Sequence, residues 1–154
     1  QENMFDFQHK KTDELKRAAV LLVEVLRDTR DIQRNVNFYL KSKNEYIKEE
    51  YNILRKELAE MLIDINTLAL LENDSEQLTQ LELIKTELVH NDLASSEELD
   101  ALIRDDKIKA TMATSYMNDS ATGYSIQKKL VKVANILFLN DGIVKQIGDE
   151  NETK

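Results

Sequence analysis

No proline interrupts the chain's 154 residues, and glycine occurs only three times. These two residues are the usual punctuators of turns. A chain nearly without them has few places to reverse and favours a small number of long helices. The hydrophobic pattern agrees. Ile47, Tyr51, Leu54, Leu58, Met61, Ile65 and Leu68 recur at alternating steps of four and three, with Lys48, Glu49, Lys56, Glu57 and Glu60 on the other face. That spacing marks one side of an α-helix. Valine, threonine and the aromatics nowhere alternate over the length of a strand, so the expected fold class is all-α. Apolar residues make up 42% of the chain, enough for a core when patterned in this way.

Three long stripes organise the rest. Leu15, Ala19, Leu22, Leu26, Ile32, Val36 and Leu40, with Thr29 filling the missing step, predict a first helix over 12–42. Ser42 to Glu45 has the spacing of a capping box for the second helix. The pattern weakens at Glu72-Asn73-Asp74-Ser75, and Asp74 to Gln77 repeats the capping spacing. Leu78, Leu81, Ile84 and Leu88 resume a short helix or a kinked continuation, and Asn91-Asp92 reads as a break. Ser95 to Glu98 then caps one more short piece carrying Leu99, Leu102 and Ile103. The last helix is expected from Asp106 to Asn140-Asp141-Gly142, with Gly142 as its stop. Its inward stripe reads Ile108, Met112, Ser115, Asp119, Gly123, Ile126, Leu130, Val133 and Leu137, with Lys128, Lys129 and Lys132 outside. The expectation is an antiparallel three-helix bundle, up-down-up, whose second arm is kinked or broken into shorter helices. Residues 1–11 form a linker, 12–141 the bundle, and 142–154 a frayed tail.

Charge narrows the partners. Eleven acids and only Lys85 and Arg104 stand between Glu72 and Asp106, so this segment carries −9 of a net −8 and the remainder sums to +1. Such a surface disfavours nucleic acid, which rewards basic faces. The ordinary reading is a solvated helix face. Cysteine is absent, which leaves no disulfide framework and no thiolate site. No apolar run reaches the roughly 20 residues that span a bilayer. The chain begins Gln1-Glu2-Asn3 without a methionine, which suggests a piece of a longer protein.

One stretch stands out against this charged background. Between Lys109 and Lys128 the only formal charge is Asp119, and the inward stripe there turns polar at Ser115, Asp119 and Gly123. A seam glycine costs a helix about 1 kcal/mol against alanine, which close packing or a special contact would explain. A buried carboxylate needs partners or a proton. Helix one offers Arg27, Arg30 and Arg34 with Thr29 in its own stripe, and Thr114, Ser115, Asn118 and Thr122 extend a hydrogen-bonded layer. Such a layer fixes helix register. The alternatives are a wet position at the edge of the seam, an ion or phosphate site, or a contact surface for a partner.

Other chemistry is thin. Glu24 and Asp28 stand four apart, a spacing that can hold a hard cation but is common by chance in acidic helices. His9 and His90 lie apart from each other with no cysteine, so a zinc site is not expected, and no metal ligand is assigned. There is no glycine-rich phosphate loop and no nucleophile elbow, and the expectation is a non-enzyme without a cofactor.

The segment Leu102-Ile103-Arg104-Asp105-Asp106-Lys107-Ile108, followed by Ala113-Thr114-Ser115-Tyr116-Met117-Asn118-Asp119-Ser120, resembles the final helix of the PhoU-like domain at the C-terminal end of bacterial sodium/phosphate cotransporter family proteins. Val25 to Asn35 (VLRDTRDIQRN) resembles the opening helix of those domains. The resemblance spans most of the chain as a helical layout and is specific over about Ile108–Phe138. It implies a non-catalytic regulatory domain of phosphate uptake, on the cytoplasmic side of an inner-membrane protein. Its partner would be the membrane domain of the same polypeptide, and a second copy would be a further partner. His9-Lys10-Lys11 would then lie close to the membrane. The family's metal motif places a second carboxylate four residues after the first, but here Asp119 is followed at that position by Gly123, so the motif is incomplete. The other reading is a stand-alone helical adaptor or oligomerisation module unrelated to phosphate.

Overall fold

The computed structural model describes residues 3–139, and all its regular structure is helical. Four helices follow one another: α1 (Met4–Tyr39), α2 (Glu45–Leu70), α3 (Asp74–Arg104) and α4 (Ala110–Phe138). The fold is an all-α antiparallel bundle, with four helices instead of three. Residues 74–104, expected as broken pieces prolonging the second arm, fold back as one continuous helix. The reason is local. Asn73 turns the chain and caps α3, its side chain accepting from the backbone N–H groups of Ser75 and Glu76 at 2.8 and 3.2 Å. Beyond it, Asn91-Asp92 and Ser95 do not break the helix. No proline or glycine stands there, and Leu81, Ile84, Leu88 and Leu99 bury on one side and hold it.

Short polar caps set the other ends. The expected capping box at Ser42 is replaced by Asn44, which accepts from the N–H groups of Tyr46 and Ile47 at 3.0 and 3.2 Å. The Asn44 amide also donates to the Lys107 carbonyl at 2.9 Å and ties two loops together at one end of the bundle. Asp106 has φ of 54°, the left-handed region, so α4 begins at Ala110 and not at Asp106. At the other extreme α1 starts at Met4, so residues 4–11, expected as a linker, are already helix. The stop at Gly142 and the tail 142–154 lie outside the described residues.

Pairings along the helices give the topology. Asn35 meets Asp119, Asp28 meets Lys129, and Ala18 clusters with Ile136, so α1 and α4 are antiparallel. Ser95 meets Tyr116, and Lys85 lies near Val131, so α3 and α4 are antiparallel too. α2 and α4 run parallel, Tyr51 lying beside Ser115 and the more distal Met61 and Leu68 clustering with Ile126 to Ala134. α4 packs against all three other helices.

The buried stripe of α1 differs from the expected one. Ile32 is inside as expected, but before it Ala18 and Val25 are the buried residues, whereas Leu15, Leu22 and Leu26 are 46%, 40% and 71% exposed. α1 carries two interleaved apolar stripes one residue out of step. α4 takes the one flanked by Glu24, Asp28 and Asn35, because those side chains meet its own polar atoms.

Candidate functional site

Asp119 lies in the middle of the bundle and is 7% exposed. Two helices supply its donors. From α2, the Tyr51 hydroxyl donates to Asp119 Oδ2 at 2.6 Å, and from α1 the Asn35 amide donates to the same oxygen at 2.9 Å. Ser115, one turn before Asp119, lies 3.1 Å from the Tyr51 oxygen. Since the single Tyr51 proton goes to the carboxylate, Ser115 is the donor of that pair. The result is a relay, Ser115 to Tyr51 to Asp119, closed by Asn35 from the other side. A hydroxyl–carboxylate distance of this length is that of a charge-assisted bond.

The aromatics around it fix the phenol. Tyr51 is wholly buried. Tyr39 stacks on its ring with centroids 4.6 Å apart, and Tyr116 meets it edge-on at 5.3 Å. Burial first, then the hydrogen bond to Asp119, push the Tyr51 hydroxyl above its usual range, so it stays protonated and remains a donor. Tyr116 is pushed up by burial as well, and its hydroxyl sits 3.0 Å from Ser95 Oγ on α3. The polar seam therefore touches all four helices. Gly123, one turn beyond Asp119, brings α4 against α2 so closely that a Cβ there would stand 2.6 Å from Leu54 Cδ1.

Of the residues that the sequence marks for this seam, Ser115, Asp119 and Gly123 are in it. Thr114 and Asn118 are exposed, and the Thr114 and Thr122 hydroxyls donate back to the carbonyls of Ala110 and Asn118. Arg27, Arg30 and Arg34 are exposed and none reaches Asp119; Arg27 instead lies 3.7 Å from Asp28. The register of α1 explains this, since it turns Asn35, and not an arginine, toward α4. Sequence reasoning missed Tyr51 because it counts as apolar in an otherwise aliphatic stripe. The available signal was its hydroxyl, which a buried position obliges to find a partner.

Two further polar clusters flank the seam. Lys129, expected outside, donates to Asp28 at 2.7 Å and lies 3.4 Å from Glu24. The pair spaced for a cation thus holds an ammonium group of the chain itself. On the other side, Glu50 is 2% exposed. Burial foremost, and then the Glu98 carboxylate, push it up to about 7. Glu57 is also raised, by burial and by neighbouring Glu60 and Asp92. Among the described residues no group of three potential ligands could hold a metal ion. His9 lies 3.9 Å from Asp13 near the start of α1, and His90 is exposed on α3. No described helix is long and apolar enough to cross a membrane.

What this arrangement does chemically is hold helices in register. A buried carboxylate is tied to neutral donors from two other helices. No protein-family model matches the chain, and neither a curated protein nor a solved structure matches it.

Proposed function

We propose that the chain is a non-catalytic regulatory domain of a sodium-dependent phosphate transporter, acting through contacts of its helix faces. The observation that carries this reading is the position of the segment on which the resemblance rests. Ile108–Phe138 is essentially α4, which, like α2, packs on every other helix and which supplies Asp119, Ser115 and Gly123 to the seam. The similarity therefore falls on the organising helix of the bundle and not on a peripheral one. In this reading the domain lies on the cytoplasmic side of an inner-membrane protein. It meets the membrane domain of the same polypeptide, and no catalytic step is assigned to it.

A second reading, a helical adaptor unrelated to phosphate, is favoured by the apolar residues exposed along α1, which suit any contact surface. Phosphate uptake separates the two. The encoding reading frame is expressed whole, and again without residues 12–138, in cells lacking other phosphate carriers. The transporter reading expects sodium-dependent uptake in both, with its decline under phosphate excess lost in the truncated form. Absence of sodium-dependent uptake from the whole protein leaves the adaptor reading.

A further inference from the structure

Charge is sorted across this bundle. On α1, Leu15, Ala19, Leu22 and Leu26 are exposed at steps of four, three and four. Beside them runs a second exposed stripe, Lys16, Val23, Arg27, Arg30 and Arg34. The carboxylates of the same stretch, Glu24, Asp28 and Asp31, recur at steps of four and three on a different stripe. Lys129 holds the first two of them against α4. The face next to α2 continues the basic and apolar surface. Leu26, Val36 and Leu58 line a groove of about 340 Å³ between α1 and α2, with Arg30 and Arg55 also on it. Leu62 and Ile63 are exposed farther along α2.

The carboxylates of α2 lie elsewhere. Glu50, Glu57 and Asp64 recur every seven residues, and the neighbours that act on Glu50 and Glu57 include Glu98 and Asp92 of α3. α3 itself carries eight acids against Lys85 and Arg104. α2 and α4 separate α1 from α3. α3 also exposes Leu78, Leu83, Val89, Leu93 and Ile103, so what separates the two sides is the charge that borders the apolar residues: bases on one side, acids on the other.

We infer that the exposed face of α1, continued by α2, docks on an anionic lipid surface, with Leu15, Leu22, Val23 and Leu26 at the headgroup boundary and Lys16, Arg27, Arg30 and Arg34 against the phosphates. Apolar residues bordered by bases are the composition of helices that lie in a membrane interface. The acidic α3 is repelled from the same surface, which fixes the orientation of the bundle. A second copy presenting the same face would oppose arginine to arginine, so self-pairing through it is disfavoured. A face spread over two helices is also broader than the groove one partner helix fills. The inference rests on surface chemistry alone and is independent of any role in phosphate transport.

Sedimentation of the full chain with vesicles tests it. Binding is expected to vesicles of phosphatidylcholine and phosphatidylglycerol in equal parts, and not to phosphatidylcholine alone, with added salt releasing the protein. Arg27→Ala, Arg30→Ala and Arg34→Ala together lower the partition by about a hundredfold, at about fivefold per residue. Lys85→Ala, on α3, leaves it unchanged. All four positions are exposed, and unchanged helicity by circular dichroism verifies that the variants fold. Equal binding to both vesicle types, binding to neither, or an unaffected triple variant overturns the inference. So does lipid-independent self-association abolished by the triple variant, which would assign the face to an acidic helix such as α3 of another copy.

Discussion

Tyr51 and Asp119 come from different helices, are both buried, and are joined by a hydrogen bond of 2.6 Å that the phenol donates. The pair works because each side chain answers the other's need. Burial leaves the carboxylate short of water, and the phenol supplies a donor that the surroundings keep protonated. Asn35 supplies the second donor from α1.

Removing the carboxylate strands both donors. Asp119→Ala is expected to lose about 2–4 kcal/mol in urea unfolding. Asn118→Ala, next to it but exposed, is expected to move stability by less than about 0.5 kcal/mol. Equal midpoints for the two variants would deny the seam a structural role.

Gly123 lets α4 lie close against Leu54 of α2. An alanine there gains about 1 kcal/mol of helix propensity. Its Cβ, however, would stand 2.6 Å from Leu54 Cδ1 in a packed core, and crowding of that kind costs about 1–3 kcal/mol. Gly123→Ala is expected to be neutral to mildly destabilising, and Gly123→Leu to lose appreciably more. A leucine variant as stable as the parent would show that the two helices separate freely.

Glu50 makes stability depend on pH. Its carboxyl is raised from about 4.5 unfolded to about 7 folded. Between these values the folded state holds the extra proton, so its contribution is fully present below pH 4.5 and is lost as pH rises through about 7. At about 1.4 kcal/mol per unit the loss is at most about 3.5 kcal/mol. Glu50→Gln should flatten this part of the stability profile and be more stable than the parent at pH 8. Parallel profiles for the two proteins would place the Glu50 carboxyl in water.

The helices of this chain were legible where one pattern stood alone. The stripe of α2 from Ile47 to Leu68 has no competitor, and five of its seven residues are buried. The polar turn of α4 at Ser115, Asp119 and Gly123 was legible because it interrupts an apolar stripe. α1 was not, since two apolar stripes run side by side and only contact with Asp119 and Lys129 selects between them. The reversal before α3 was hidden for another reason. The break shows at Glu72-Asn73-Asp74-Ser75, but Asn73 turns the chain without proline or glycine, and only packing decides that α3 folds back instead of prolonging α2. The relay partners of Asp119 lie 84 and 68 residues away in sequence, and only the packing of three helices brings Asn35 and Tyr51 together there.

A double-mutant cycle on Tyr51 and Asp119 tests most directly whether the buried seam binds the helices to one another. Urea unfolding is measured for the parent, Tyr51→Phe, Asp119→Asn and the pair. Phenylalanine keeps the ring stacked on Tyr39 and edge-on to Tyr116, and asparagine keeps the volume of the acid. If the two groups hold each other, the single losses exceed the loss of the double variant by about 1–3 kcal/mol when summed. Losses that add within about 0.3–0.5 kcal/mol would contradict the account, because independent sites behave in that way.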